Sequence, residues 1–120
     1  YLAKSDGLYL FDAKQNMLIP VVGEDIRALT GKQPFVKDAP INLIYVADLS
    51  KMGKTSGADA DFYASADTGF ISENVYLYCA SVGLATVVRG MIDKPVLAKA
   101  MKLRPDQKIS LAQTVGYLKE

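Results

Sequence analysis

The stretch Thr68 to Val88, TGFISENVYLYCASVGLATVV, constrains this chain more than any other. It is long and apolar enough to raise the question of a membrane span. Glu73, Asn74 and Gly83 interrupt it, and a buried helix followed by a strand fits the pattern better. The helix is expected to start between Ala58 and Asp67 and to run to about Ser81. Gly83 then acts as a C-terminal stop. Ile71, Val75, Tyr78, Cys79 and Val82 recur at helical spacing on one face. Phe70, Tyr76 and Leu77 occupy the other sides, so the spacing predicts a helix buried nearly all round. The strand after Gly83, residues 84–91, reads as buried up to Val88 and then meets a charge, Arg89, and a bare backbone, Gly90.

The remaining segments read around that pair. GLYLFDAKQNMLIPVV (7–22) predicts two strands about a polar turn, AKQN. Residues 24–29 predict a short helix ended by Gly31, and PFVKDAP a loop between prolines. INLIYVAD (41–48) carries apolar residues on both faces and so predicts a central strand. SKMGKTSGADAD (50–61) reads as loop. KPVLAKAMKL (94–103) predicts an amphipathic helix with Pro95 in its first turn, and KISLAQTVGYL (108–118) a last strand. Strands come first, then helix and strand alternate. That order points to an α+β fold rather than a doubly wound parallel sheet.

Composition narrows the chemistry. A chain of 120 residues, half of them hydrophobic, supports one domain with a real core. The 14 basic and 13 acidic residues leave a net charge of +1, scattered rather than striped, and give no nucleic-acid footprint. There is no histidine, which removes Ser-His-Asp and Cys-His machinery and most zinc sites. The single cysteine, Cys79, excludes an internal disulfide and reads as a small buried hydrophobe.

Four features invite a functional reading. GKTSG (53–57) follows a strand, but a phosphate loop needs a glycine where Asp48 stands, and Gly57 weakens a helix opening there. Asp59, Asp61 and Asp67 lack calcium-loop spacing, and Asp61 or Asp67 suits the start of the long helix. No metal site is expected. Arg89-Gly90 has the other form: a glycine at a strand end lets a ligand approach the backbone, and an N–H there could donate to a ring nitrogen. The alternative is a plain strand-to-turn junction with a surface arginine. Lys119, behind Gly116, could meet a phosphate as a point charge or simply be solvated.

Residues 65–103 resemble the second half of a flavin-dependent nitroreductase. The matching positions are Asp67 and Gly69, Glu73-Asn74, Ala80, Gly83-Leu84 and Arg89-Gly90, followed by the helix at 94–103. TVGYLK (114–119) resembles the family's last core strand. DGLYLFDAKQNMLIPVV and APINLIYVAD resemble the hairpin and central strand of the branch related to azoline-forming oxidases. The resemblance implies a nitroreductase-like α+β fold with a mixed sheet and a long buried helix, residues 1–120 forming one domain that lacks the family's N-terminal part. It implies FMN as cofactor and NAD(P)H as hydride source. It also implies a nitroaromatic, quinone or similar acceptor, and a homodimer with flavin at the interface. Under it, Thr86, Val87 and Val88 lead to a ring contact at Arg89 and Gly90, and Lys119 is a phosphate partner.

Three departures accompany the resemblance. Glu73-Asn74 stands where the family has glutamine-asparagine. Lys51-Met52 stands where the azoline oxidases have Lys-Tyr. The arginine-rich phosphate segment is not within these residues, so residues 1–120 alone are expected to bind FMN weakly or not at all. The rival expectation is a cofactor-free remnant or interaction module with the same fold.

Overall fold

A computed structural model describes residues 1–119. Six strands and two α-helices follow in order: β1 (Leu2–Lys4), β2 (Gly7–Asp12), β3 (Met17–Val22), β4 (Ile41–Asp48), α1 (Gly57–Val82), β5 (Leu84–Arg89), α2 (Lys94–Ala100) and β6 (Gln107–Tyr117). The strands form one sheet in the order β3-β2-β1-β4-β6-β5. The α+β class is as expected; the mixed sheet resolves, within this chain, into five antiparallel pairings.

Local chemistry explains the elements. The turn between β2 and β3 is set by Asp12, whose Oδ1 accepts from the N–H groups of Lys14 (2.9 Å) and Gln15 (3.2 Å). Asn16 takes the left-handed backbone (φ 51°) that asparagine tolerates. Residues 24–29 do not make an α-helix. A 3-10 turn forms at Arg27–Thr30 instead, and a second one at Pro34–Lys37 lies inside the expected loop. Gly83 ends α1 as expected, at φ 76°, its N–H donating to Cys79 O. Asp93 caps α2 by accepting from Val96 N–H at 3.3 Å.

β4 lies between β1 and β6, as its two apolar faces predict. Asn42, Ile44 and Val46 point to the layer holding α2 and the two 3-10 turns. Ala3, Leu8, Ile26, Ile44, Leu97, Met101 and Ile109 make the core there. Leu8, Ile44 and Leu97 are fully buried, each contributing about 1.5–3 kcal/mol.

The other face carries α1, where the helix reading needs correction. α1 begins at Gly57, and the first-turn acid is Asp59, not Asp61 or Asp67. It buries only Ala60, Thr68, Ser72 and Cys79. Of the predicted apolar face, Ile71, Tyr78 and Val82 are half or more exposed, as are Phe62, Tyr63, Phe70 and Leu77. Small and hydroxyl side chains meet the sheet because they let the helix approach it, as in the contact between Thr68 Oγ1 and Ser110 Oγ at 2.7 Å. The large apolar residues face outward. No helix among the described residues is long and apolar enough to cross a membrane.

Candidate functional site at the edge of strand β5

β5 pairs with β6 on one side only and so ends the sheet. In an antiparallel pair the N–H groups of successive residues point alternately toward and away from the partner strand. Val88 N–H donates to the Tyr76 hydroxyl of α1 at 2.7 Å, so it points away from β6. By the same alternation Thr86 and Gly90 face outward, and Val87 and Arg89 face β6. The Gly90 carbonyl accepts from Ile92 N–H at 2.9 Å, and Lys32 N–H donates to Met91 O at 2.9 Å. The turn is therefore held on both sides. Among the described residues, Gly90 N–H meets no acceptor.

Gly90 is exposed, and its φ lies outside the left-handed region. A Cβ built on it would meet only Leu111 Cδ2, at 3.4 Å. Nothing among the described residues demands a glycine here. Gly31 behaves differently: a Cβ there would lie 2.2 Å from Arg89 Nη1 and 2.9 Å from Gln33 Oε1. Its backbone is extended and open to any residue, so the requirement is room for the arginine.

Arg89 is not a surface arginine. It is 6% exposed and points into the layer of the 3-10 turns. Nε donates to Thr114 Oγ1 at 2.8 Å, Nη2 to Thr30 Oγ1 at 3.0 Å and to Asn42 Oδ1 at 2.7 Å, and Nη1 to Thr30 O. Thr114 Oγ1 donates to Asn42 Oδ1 at 2.7 Å, and Asn42 Nδ2 to Val36 O at 2.7 Å. Burial draws the guanidinium pKa below its ordinary value. Gln33 Oε1, beside this cage, is buried without a partner.

The other anticipated residues fall as follows. The Thr86 hydroxyl donates to Thr114 O at 2.8 Å; Val87 is exposed and Val88 half-buried. Lys119 is exposed beyond Tyr117, which pairs with Leu84 at the opposite end of β5 from Gly90. From Leu111 to Tyr117 the strand spans roughly 20 Å. Residues 86–90 are thus one continuous edge, and Lys119 is not part of it. Asp48, at the phosphate-loop position, is tied to Arg104 Nη2 at 3.0 Å and accepts from the Ser50 hydroxyl at 2.5 Å. These bonds, the Ser50 hydroxyl first, hold its carboxyl below the usual range. Among the described residues no histidine, cysteine, aspartate or glutamate cluster could hold a metal.

Two clefts lie between α1 and the sheet. One, about 540 Å³, is lined by Leu2, Phe11, Tyr45, Met52 and Val75 among others. The second, about 460 Å³, takes in Lys94, Lys108, Ser65, Ser110 and Leu111, so it adjoins Gly90 through Leu111. The Tyr45 hydroxyl donates to Gln113 Oε1 at 2.5 Å, and its pKa is pushed up to about 12, mainly by burial and secondarily by Cys79 and Tyr76. Thr30, Asn42, Tyr76 and Thr114 had no signal in the sequence: each is a common polar residue whose role exists only once distant segments meet.

Comparison with known proteins then places the chain. The profile of the nitroreductase family matches residues 5–117. The chain belongs to the nitroreductase family. It is 38% identical to a candidate nitroreductase of Ralstonia eutropha JMP134 of known crystal structure, with a TM-score of 0.92, covering 100% of this chain and 57% of that one. A candidate nitroreductase of Methanocaldococcus jannaschii is 26% identical over 103 residues, 82% of this chain and 52% of the relative. At the level of fold alone, the chain is similar to part of the Escherichia coli microcin synthetase McbBCD complex with truncated pro-MccB17 bound. That match has 18% identity and a TM-score of 0.85, over 99% of this chain and 51% of that one. The chain therefore spans little more than half the length of these relatives. Membership of the nitroreductase family supports a general oxidoreductase role.

Proposed function

We propose that the chain is part of an FMN-dependent oxidoreductase of the nitroreductase type. Electrons pass from a reduced nicotinamide, through flavin, to a nitroaromatic, quinone or similar acceptor. Gly90 carries the reading: an exposed glycine, with no internal reason to be one, presents an unpartnered N–H at a strand edge. Bound flavin would supply the redox chemistry, so the absence of histidine is no obstacle. The chain's part is to bind and orient. Thr86 to Gly90 form the edge against which a planar ring lies, Gly90 N–H donates to a ring nitrogen, and Arg89 contributes its backbone while its side chain turns inward.

The residues fit the ring better than the phosphate. A phosphate brings about two negative charges that need charged partners. Lys119 lies farther along β6 than a ribityl phosphate reaches from a ring at Gly90. It enters the proposal as a phosphate partner across an assembly of two copies. A second copy also accounts for the outward residues of α1: Phe62 (67% exposed), Phe70 (71%) and Leu77 (61%) form an apolar surface that a partner would cover.

The test uses the full-length protein in which these residues occur, and residues 1–120 alone. Each is titrated with FMN by visible absorbance, then assayed for NADH and NADPH oxidation with a nitroaromatic or a quinone. The full-length protein is expected to take up FMN and turn over, and residues 1–120 alone to bind it weakly. A full-length protein that stays colourless and indifferent to FMN refutes the proposal. It would favour the second reading, a cofactor-free association module. That reading draws on the exposed face of α1 and on the fold likeness to a chain within a multi-subunit synthetase.

A further inference from the structure

Arg89 is a buried cation held entirely by neutral groups. Its four hydrogen bonds go to Thr30 O, Thr30 Oγ1, Asn42 Oδ1 and Thr114 Oγ1. It belongs to none of the ion pairs among the described residues. Buried charges are ordinarily matched by an opposite charge, because removing one from water is costly. A neutral side chain could fill this space without that cost. The cage instead fixes a positive charge that no acidic group among the described residues pairs with. Gly31 leaves room for it, and Asn42 stands where an aspartate of the same shape would cancel it.

The placement matters because Arg89 immediately precedes Gly90. The guanidinium anchors β5 to β4, β6 and the Arg27–Thr30 turn, which leaves the next peptide, with its free N–H, little freedom. It also sits within one arginine side chain of that N–H, behind protein rather than water, where screening is weak. Hydride transfer from a reduced nicotinamide leaves that donor one charge more positive and adds one negative charge at the accepting ring. A fixed cation beside the ring favours the reduced side of this exchange. We propose that Arg89 is a positioning and tuning residue: caged by Thr30, Asn42 and Thr114, it sets the Gly90 N–H and biases a bound flavin toward reduction. The inference rests on the flavin reading above.

The test measures the midpoint potential of the FMN-loaded full-length protein against a reference dye, alongside FMN affinity and thermal stability. Arg89→Gln is expected to lower the preference for reduced over oxidised FMN at least tenfold, a drop of about 30 mV for a two-electron couple. Asn42→Asp keeps the shape, places a carboxylate on the guanidinium, and is expected to give a drop of the same size. It carries the test if Arg89→Gln does not fold. Arg89→Lys keeps the charge without the fork. It should hold the preference within threefold while weakening FMN binding severalfold. A potential unchanged in Asn42→Asp, or in a folded Arg89→Gln, overturns the inference and leaves the flavin reading standing. Failure of the unsubstituted protein to bind FMN overturns both.

Discussion

Gly31→Ala tests the Arg89 cage through a single methyl group. The backbone at Gly31 is extended, so alanine adds no backbone strain. Its Cβ would sit 2.2 Å from Arg89 Nη1, far inside van der Waals contact. The guanidinium cannot swing aside cheaply, because Thr30, Asn42 and Thr114 hold it by four bonds. Losing the bond from Nη1 to Thr30 O costs about 1.5–3 kcal/mol for a charge-assisted contact, and overpacking costs about 1–3 kcal/mol. The two overlap, since giving way on one relieves the other, so the expected loss is about 2–4 kcal/mol. With an unfolding entropy of about 2.1 cal/mol/K per residue, each kcal/mol moves the melting temperature by roughly 4 °C in a chain of 120 residues. A fall of roughly 8–16 °C follows, read by circular dichroism at one fixed protein concentration. Repeating the substitution in an Arg89→Met background removes the nearer obstacle and leaves Gln33 Oε1, the end of a flexible side chain, at 2.9 Å, so the cost should shrink below about 1 kcal/mol. A loss under about 0.5 kcal/mol in the parent, or the same loss in both backgrounds, would refute the reasoning.

Gly90→Ala should leave stability within about 0.5 kcal/mol, since its Cβ would meet only Leu111 Cδ2, at 3.4 Å, yet weaken FMN binding severalfold by titration; equal affinities would remove Gly90 from the site. Tyr45 is neutral in the fold to about pH 12 but to about pH 10 when unfolded, so its share of stability is constant below pH 10 and lost as pH rises from 10 toward 12. Discounted for its partial exposure, the loss is about 1 kcal/mol, and it should vanish in Tyr45→Phe when denaturation is compared at pH 9 and pH 11. Phe70→Glu, on the outward face of α1, should lower the sedimentation mass toward a single chain without changing the circular dichroism spectrum. An unchanged mass would move the association surface elsewhere.

The fold was legible where pattern and partner coincide. β4 reads as central because Ile44 and Val46 face one layer and Leu43 and Tyr45 the other, and Gly83 and Pro95 mark helix ends by local chemistry alone. α1 misled because helical periodicity reports where apolar residues fall, not which surface covers them. The sheet takes Thr68, Ser72 and Cys79, and Phe70 and Leu77 face away from it. At the site, Arg89-Gly90 stood out as a charge and a glycine ending an apolar run. The cage did not, because Thr30, Asn42 and Thr114 are separated by long stretches of chain: the β4–β6 register pairs Asn42 with Thr114, and the Arg27–Thr30 turn brings Thr30 to the same guanidinium.

The bond between Val88 N–H and the Tyr76 hydroxyl ties the edge strand to α1 from the side that β6 leaves open. Tyr76 is one turn from Ser72, which meets the sheet, and beside Leu77, which faces solvent. Any body that grips the outer surface of α1 and shifts it along its axis therefore pulls on the Val88 peptide, two residues from Gly90. The outer surface of α1 and the geometry of the strand terminus are thus linked through the Tyr76 phenol.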